Sequence, residues 1–95
     1  MAQSNRAGAE SARDGSHYPR IVAQTIDARG LSCPLPAIKA RRALAALAPG
    51  EELVVLATDP EAPIDLAALA ADGGHAFAER AVAGGYELRI VKRPA

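Results

Sequence analysis

Glu52-Leu53-Val54-Val55-Leu56-Ala57-Thr58, followed at once by Asp59-Pro60, is the stretch on which the fold turns. It is a short apolar run with two adjacent β-branched residues, the pattern of a strand buried on both faces rather than of a helix stripe. Asp59-Pro60 is a cap and helix-start signal, so a helix is expected from about Pro60 to Ala71, with Leu66, Leu69 and Ala70 on its buried side and Asp72-Gly73-Gly74 as its stop. Upstream, Pro49-Gly50 closes another helical stretch, Pro34 to Ala48, rich in Ala, Leu, Lys and Arg. At 100° per residue its Pro36, Ala37, Ala40, Ala43, Leu44 and Leu47 share the side that would face a core, opposite Lys39 and Arg42.

Working further outward, Ile21 to Asp27 reads as a short strand with Val22, Gln24 and Ile26 on one side, ended by Ala28-Arg29-Gly30. His75 to Val82 and Tyr86 to Lys92 form a hairpin around Gly84-Gly85. The order is βαβαββ. Right-handed crossovers make the first three strands parallel and the last antiparallel, giving an α/β (α+β) two-layer sandwich: a four-stranded mixed sheet with two helices on one face. Because Glu52 to Thr58 is apolar on both sides, Val54 and Leu56 are expected to meet a partner or solvent on the uncovered face. Residues 1–20 are polar and without hydrophobic period, the composition of a disordered tail, which leaves 21–95 as one domain.

Composition limits the function. Ninety-five residues exclude a two-domain enzyme with a cofactor lobe, and 11 Lys+Arg against 11 Asp+Glu leave no basic excess for direct nucleic-acid binding. A single cysteine closes no intramolecular disulfide, no apolar run nears the roughly 18 residues of a membrane helix, and residues 1–20 carry no signal-peptide core. A cytoplasmic protein is expected. No dinucleotide, P-loop or nucleophile-elbow spacing occurs, and one cysteine with His75 cannot supply a usual zinc set, so neither cofactor nor metal is expected.

The chemically loaded stretch is Gly30-Leu31-Ser32-Cys33-Pro34-Leu35-Pro36. Pro34 disfavours the α region at Cys33, placing the thiol at or next to the N-cap with Pro34 as the first helical residue. Pro34 and Pro36 have no amide hydrogen, which leaves the Leu35 N–H as the donor expected to face the sulfur. The helix N-terminus, with Arg29 and Lys39, is then expected to favour the thiolate. Asp59, Glu61 and Gly84-Gly85 should share this rim, chiefly as cap and turn, whereas His75 should lie at the far end in a structural role. Leu35 and Ile38, beside Lys39 and Arg42, either form an apolar spot edged by positive charge that docks an acidic partner or tuck against the Ala28 to Ser32 loop.

Ile26-Asp27-Ala28-Arg29-Gly30-Leu31-Ser32-Cys33-Pro34-Leu35-Pro36, with Lys39, Pro49-Gly50-Glu51, Ala57-Thr58-Asp59-Pro60 and Gly74-His75, resembles the TusA/SirA/YedF family of small sulfur carriers, whose signature is Cys-Pro-x-Pro. The resemblance covers about Thr25 to Arg93. It implies a sandwich like the C-terminal domain of bacterial translation initiation factor three. It also implies a sulfurtransferase-type role, with a persulfide on Cys33, a cysteine desulfurase or rhodanese as donor and a DsrE-type or other thiol protein as acceptor. The destinations include tRNA thiolation, molybdenum-cofactor assembly and sulfur oxidation. Two departures stand out: Leu35 occupies the position where tRNA-thiolation members typically have Glu, and Ala67 to Ala71 fill the place of a second cysteine found in many members. A different reading of the same residues is a non-catalytic regulatory or protein-binding module in which Cys33 senses redox state.

Overall fold

The computed structural model describes residues 21–94, so the expected disorder of residues 1–20 lies outside the described residues. The elements are β1 (Ile21–Ala28), α1 (Leu35–Ala46), β2 (Glu51–Ala57), α2 (Ala62–Gly73), β3 (Ala76–Val82) and β4 (Gly85–Val91). The strands form one sheet in the order β1-β2-β4-β3. β1 and β2 are parallel, and β4 runs antiparallel to both β2 and β3, so the first three strands share one direction as expected.

β2 is the centre of the molecule. Leu53, Val55 and Ala57 face the helices and join Ala28, Leu88 and Ile90 of the sheet with Ala40, Ala43, Leu44 and Leu47 of α1 and Ala62, Leu66 and Ala70 of α2 in one buried cluster. The helix stripes are those their spacing dictates, except that Ala37 and Leu69 are only partly buried and α2 also buries Ala62 and Pro63 in its first turn. Alanines alternate with Leu44, Leu47 and Leu66 on the helix side, and these leucines fill the core together with Leu53, Val55, Leu88 and Ile90 of the strands.

Two sequence expectations need correction. In β1 a register shift between Val22 and Gln24 breaks the alternation. Val22 pairs with Glu52 and Gln24 with Leu53, residues on opposite faces of β2, so Val22 leaves the side held by Gln24 and Ile26. The sheet face without helices is also not the open apolar patch expected, since Val54 is buried there while Leu56 stays half-buried. Glu52 is buried there and accepts from Arg89 Nη1 at 3.1 Å, Arg89 Nη2 donates to Glu87 Oε2 at 2.7 Å, and Arg80 pairs with Glu87 in turn. This row of alternating charges crosses β2, β4 and β3, and Val54, flanked in register by Thr25 and Arg89, is only 5% exposed. Long charged side chains, whose aliphatic stems cover apolar surface, do what a second helix layer would otherwise do.

At the end of the sheet remote from Cys33, Lys92 Nζ donates to the carbonyls of Leu44 (2.8 Å) and Leu47 (2.7 Å), satisfying the last turn of α1 with a cation where the helix dipole favours one. His75 lies at this end too. Its Nδ1 accepts the Arg93 N–H at 3.0 Å, and its ring lies so close to Gly73 that a Cβ there would be 2.4 Å from Nε2. With Arg41, Leu69, Asp72 and Lys92, His75 lines a groove of about 430 Å³ between the helix ends, away from the cysteine.

At the opposite end, the β3–β4 turn is Ala83-Gly84, one residue earlier than the Gly84-Gly85 pair suggests. Gly84 has φ 78°, and Gly85 opens β4 because a Cβ on it would sit 2.3 Å from the Ala57 carbonyl oxygen. Gly85→Ala is therefore expected to destabilise the fold by about 1–3 kcal/mol, the usual cost of forcing atoms into a closed space. A urea titration against wild type checks this, with Gly50→Ala, where the added Cβ meets nothing within 4 Å, as a control for left-handed strain alone.

Candidate functional site

Parallel pairing of β1 with β2 brings the two strand-to-helix loops to one end of the sheet, where two hydrogen bonds join the loops and a third ties the first loop to α2. Gly30, at φ 82°, donates its N–H to Thr58 Oγ1 at 2.9 Å. Cys33 N–H donates to Asp59 Oδ2 at 2.8 Å. The Cys33 thiol donates to Asp65 Oδ2, also at 2.8 Å. Asp59 uses its other oxygen for the Glu61 N–H at 2.8 Å, so one carboxylate closes the turn before α2 and fixes the backbone of Cys33. Asp59 is held below the usual carboxylate range by these two backbone donors.

Cys33 is exposed, at the tip between β1 and α1. The N-cap of α1 is Pro34, one residue later than the sequence suggests, with Pro36 in the first turn and a cis Cys33–Pro34 peptide. The expected role of the Leu35 N–H is also corrected: it donates to the Ser32 carbonyl at 2.9 Å, closing a tight turn before the helix, and so is not free for the sulfur. Arg29 is likewise engaged elsewhere, clamped by Nε and Nη2 on the two oxygens of Asp27 at 2.8 Å each. That pair draws the Asp27 carboxyl down to about 2.

The thiol is therefore not biased toward thiolate. Its pKa is pushed up to about 11, first by the hydrogen bond to Asp65, then by desolvation and by the negative charges of Asp65, Asp59 and Glu61. The sequence reading counted the helix N-terminus and Arg29 with Lys39, and missed Asp65. The available signal was the position of Asp65 in the first turn of α2, six residues after Asp59, on the helix whose opening the parallel topology sets beside that of α1.

The first turns of both helices also expose apolar side chains. Leu35 is 45% exposed and Ile38 42%, so neither is tucked away, and Ile64, next to Asp65 in α2, is 65% exposed. Lys39 and Arg42 lie exposed farther along α1. The site thus has an exposed thiol, three carboxylates beside it, and hydrophobic side chains on the first turns of both helices.

Comparison with known proteins fits this end of the molecule. Residues 24–92 match the family model described as Sulfurtransferase TusA. The chain belongs to the TusA family. It is 39% identical over 70 residues to the sulfur carrier protein TusA of Allochromatium vinosum, spanning 74% of this chain and 92% of that one. It is 34% identical over 70 residues to TusA of Pseudomonas paraeruginosa, spanning 74% and 89%. The crystal structure of the SirA-like protein of Desulfitobacterium hafniense superposes with a TM-score of 0.66 at 34% identity, covering 74% of this chain and 97% of that one. The four-stranded mixed sheet with two helices is thus the fold of this family, and the family is one of sulfur carriers. A carrier works with a partner in sulfur relay, and no helix among the described residues is long and apolar enough to cross a membrane.

Asp59→Asn should weaken the junction of the two loops, because an amide offers one acceptor where two N–H groups need one each. The Asp59 pKa is lower folded than unfolded, so its contribution is present above about pH 4, the unfolded value, and is lost as pH falls through the folded one. Urea midpoints at pH 7 and in acid check this: the gap between wild type and variant should be clear at pH 7 and shrink on acidification.

Proposed function

We propose that this chain accepts sulfane sulfur as a persulfide on Cys33 and passes it to the thiol of a partner protein, acting as a sulfurtransferase-type carrier in the cytoplasm. The observation that carries the reading is an exposed, solitary thiol whose backbone is fixed by Asp59 at the opening of α1. A carrier must present its sulfur to two different proteins, which needs exposure and a rigid tip, and it must hold the terminal sulfur with no neighbouring thiol to expel it as sulfide. With one cysteine in the chain, the bound sulfur has no internal route to a disulfide.

The exchange balances without an oxidant. The Cys33 sulfur bonds to the sulfane sulfur of the donor, the donor's S–S bond breaks, its cysteine leaves as thiolate, and the proton lost by Cys33 ends on that thiolate. The second half repeats the step, with the acceptor thiol attacking the terminal sulfur on Cys33. A cysteine desulfurase or rhodanese suits the first half and a DsrE-type or other thiol protein the second, docking on Leu35, Ile38 and the neighbouring α1 surface with Lys39 and Arg42. Pro34 and Pro36 stiffen the tip, which preorganises the nucleophile.

Incubation with a sulfane sulfur donor should add the mass of one sulfur atom to the intact chain. The adduct should be removable by reductant and missing from Cys33→Ser. A wild-type chain that gains no sulfur under conditions that load another carrier would overturn the reading.

A further inference from the structure

We propose that Asp65, in hydrogen-bond contact with the Cys33 thiol, selects sulfur donors that bring a cationic side chain to this rim. The inference rests on the carrier reading and names the partner chemistry of the same site. Its basis is geometric: the thiol donates to Asp65 Oδ2 at 2.8 Å, and Asp65 sits in the first turn of a helix whose preceding turn is closed by Asp59. The charged groups facing the sulfur from the β2–α2 loop and from α2 are all carboxylates, Asp59, Glu61 and Asp65. From the β1 side, Arg29 is spent on Asp27, and the cations of α1, the exposed Lys39, Arg41 and Arg42, lie farther along its length.

Ionising Cys33 in place exchanges a thiol-to-carboxylate hydrogen bond for two anions in contact. A guanidinium or ammonium from a docked donor removes that obstacle by pairing with Asp65. The Cys33 sulfur then attacks the donor's sulfane sulfur, the donor's S–S bond breaks, and the Cys33 proton passes to the departing donor thiolate, so charge and electrons balance. Leu35, Ile38 and Ile64 exclude water around such a contact, which strengthens the new ion pair. Once loaded, the anionic charge sits on the terminal sulfur, about 2 Å farther out along the S–S bond, where Asp65 repels it less. The lock therefore acts on the empty carrier more than on the full one.

Three methanethiosulfonate reagents that share a reactive group and differ in charge test this, each rate taken at pH 7 in low and high salt relative to the same reagent's rate with a free small thiol. Wild type should react with the trimethylammonium reagent at least tenfold faster than with the sulfonate reagent, with salt narrowing the gap. Asp65→Asn should speed reaction with the neutral methyl reagent by about tenfold, lower the thiolate midpoint seen at 240 nm, and reduce the cation preference several-fold. A wild-type ratio near one overturns the proposal without any variant, and so does an unchanged or slower neutral rate in a folded Asp65→Asn. These rates do not depend on sulfur loading. Expected rates with no persulfide in the mass experiment would sink the carrier reading alone, whereas normal loading with a ratio near one would sink only the lock.

Discussion

The pairing of β1 with β2 in parallel register is the constraint from which the site follows. Parallel neighbours deliver their helices from the same sheet edge, so the loops carrying Cys33 and Asp59 must meet. Asp59 then converts proximity into rigidity, since its two oxygens accept one backbone N–H from each loop. The register is enforced by β2, whose Leu53, Val55 and Ala57 are buried against the helices and whose Glu52 is buried on the other face against Arg89. A slip of one residue would exchange these faces, which ties the geometry around the sulfur to packing at the centre of the sheet.

The contest at Cys33 is between a helix N-terminus and nearby carboxylates, and magnitude decides it. A helix end offers roughly half an elementary charge, delivered through the free amides of its first turn. Here Pro34 and Pro36 have no amide hydrogen and Leu35 spends its own on Ser32. Against this remnant stands a full negative charge on Asp65 in hydrogen-bond contact, with Asp59 and Glu61 behind it. The carboxylates prevail, and the same prolines that shape the tip are what strip the helix of its pull on the thiol.

Much of this was legible in the chain. Hydrophobic period fixed the six elements to within about two residues, the Ala-rich stripe of α1 and the buried character of β2, because burial and period are the same physical fact seen twice. The position of Cys33 at a loop tip followed from its flanking prolines. Asp65 did not follow, since its importance comes from a contact 32 positions apart in sequence that local pattern does not encode. The covered face of Val54 escaped for a similar reason. Glu52, Arg89, Glu87 and Arg80 look like ordinary solvent-facing charges of alternating strands until the order β2-β4-β3 sets them side by side.

An unreactive resting thiol appears at odds with a carrier's task only if reactivity is required at all times. A carrier with one cysteine and no internal partner is open to every oxidant and electrophile that reaches an exposed tip, and reaction rate there scales with the thiolate fraction. With the thiol pushed up to about 11 by Asp65 and its neighbouring carboxylates, that fraction at pH 7 falls below that of an ordinary exposed cysteine. The loss in intrinsic rate is recoverable at a docked interface, where one cation beside Asp65 in a water-poor contact acts far more strongly than it would in bulk solvent. Protection in the free state and activation in the complex then come from one hydrogen bond, and the exposed Leu35, Ile38 and Ile64 are placed where such a complex would form.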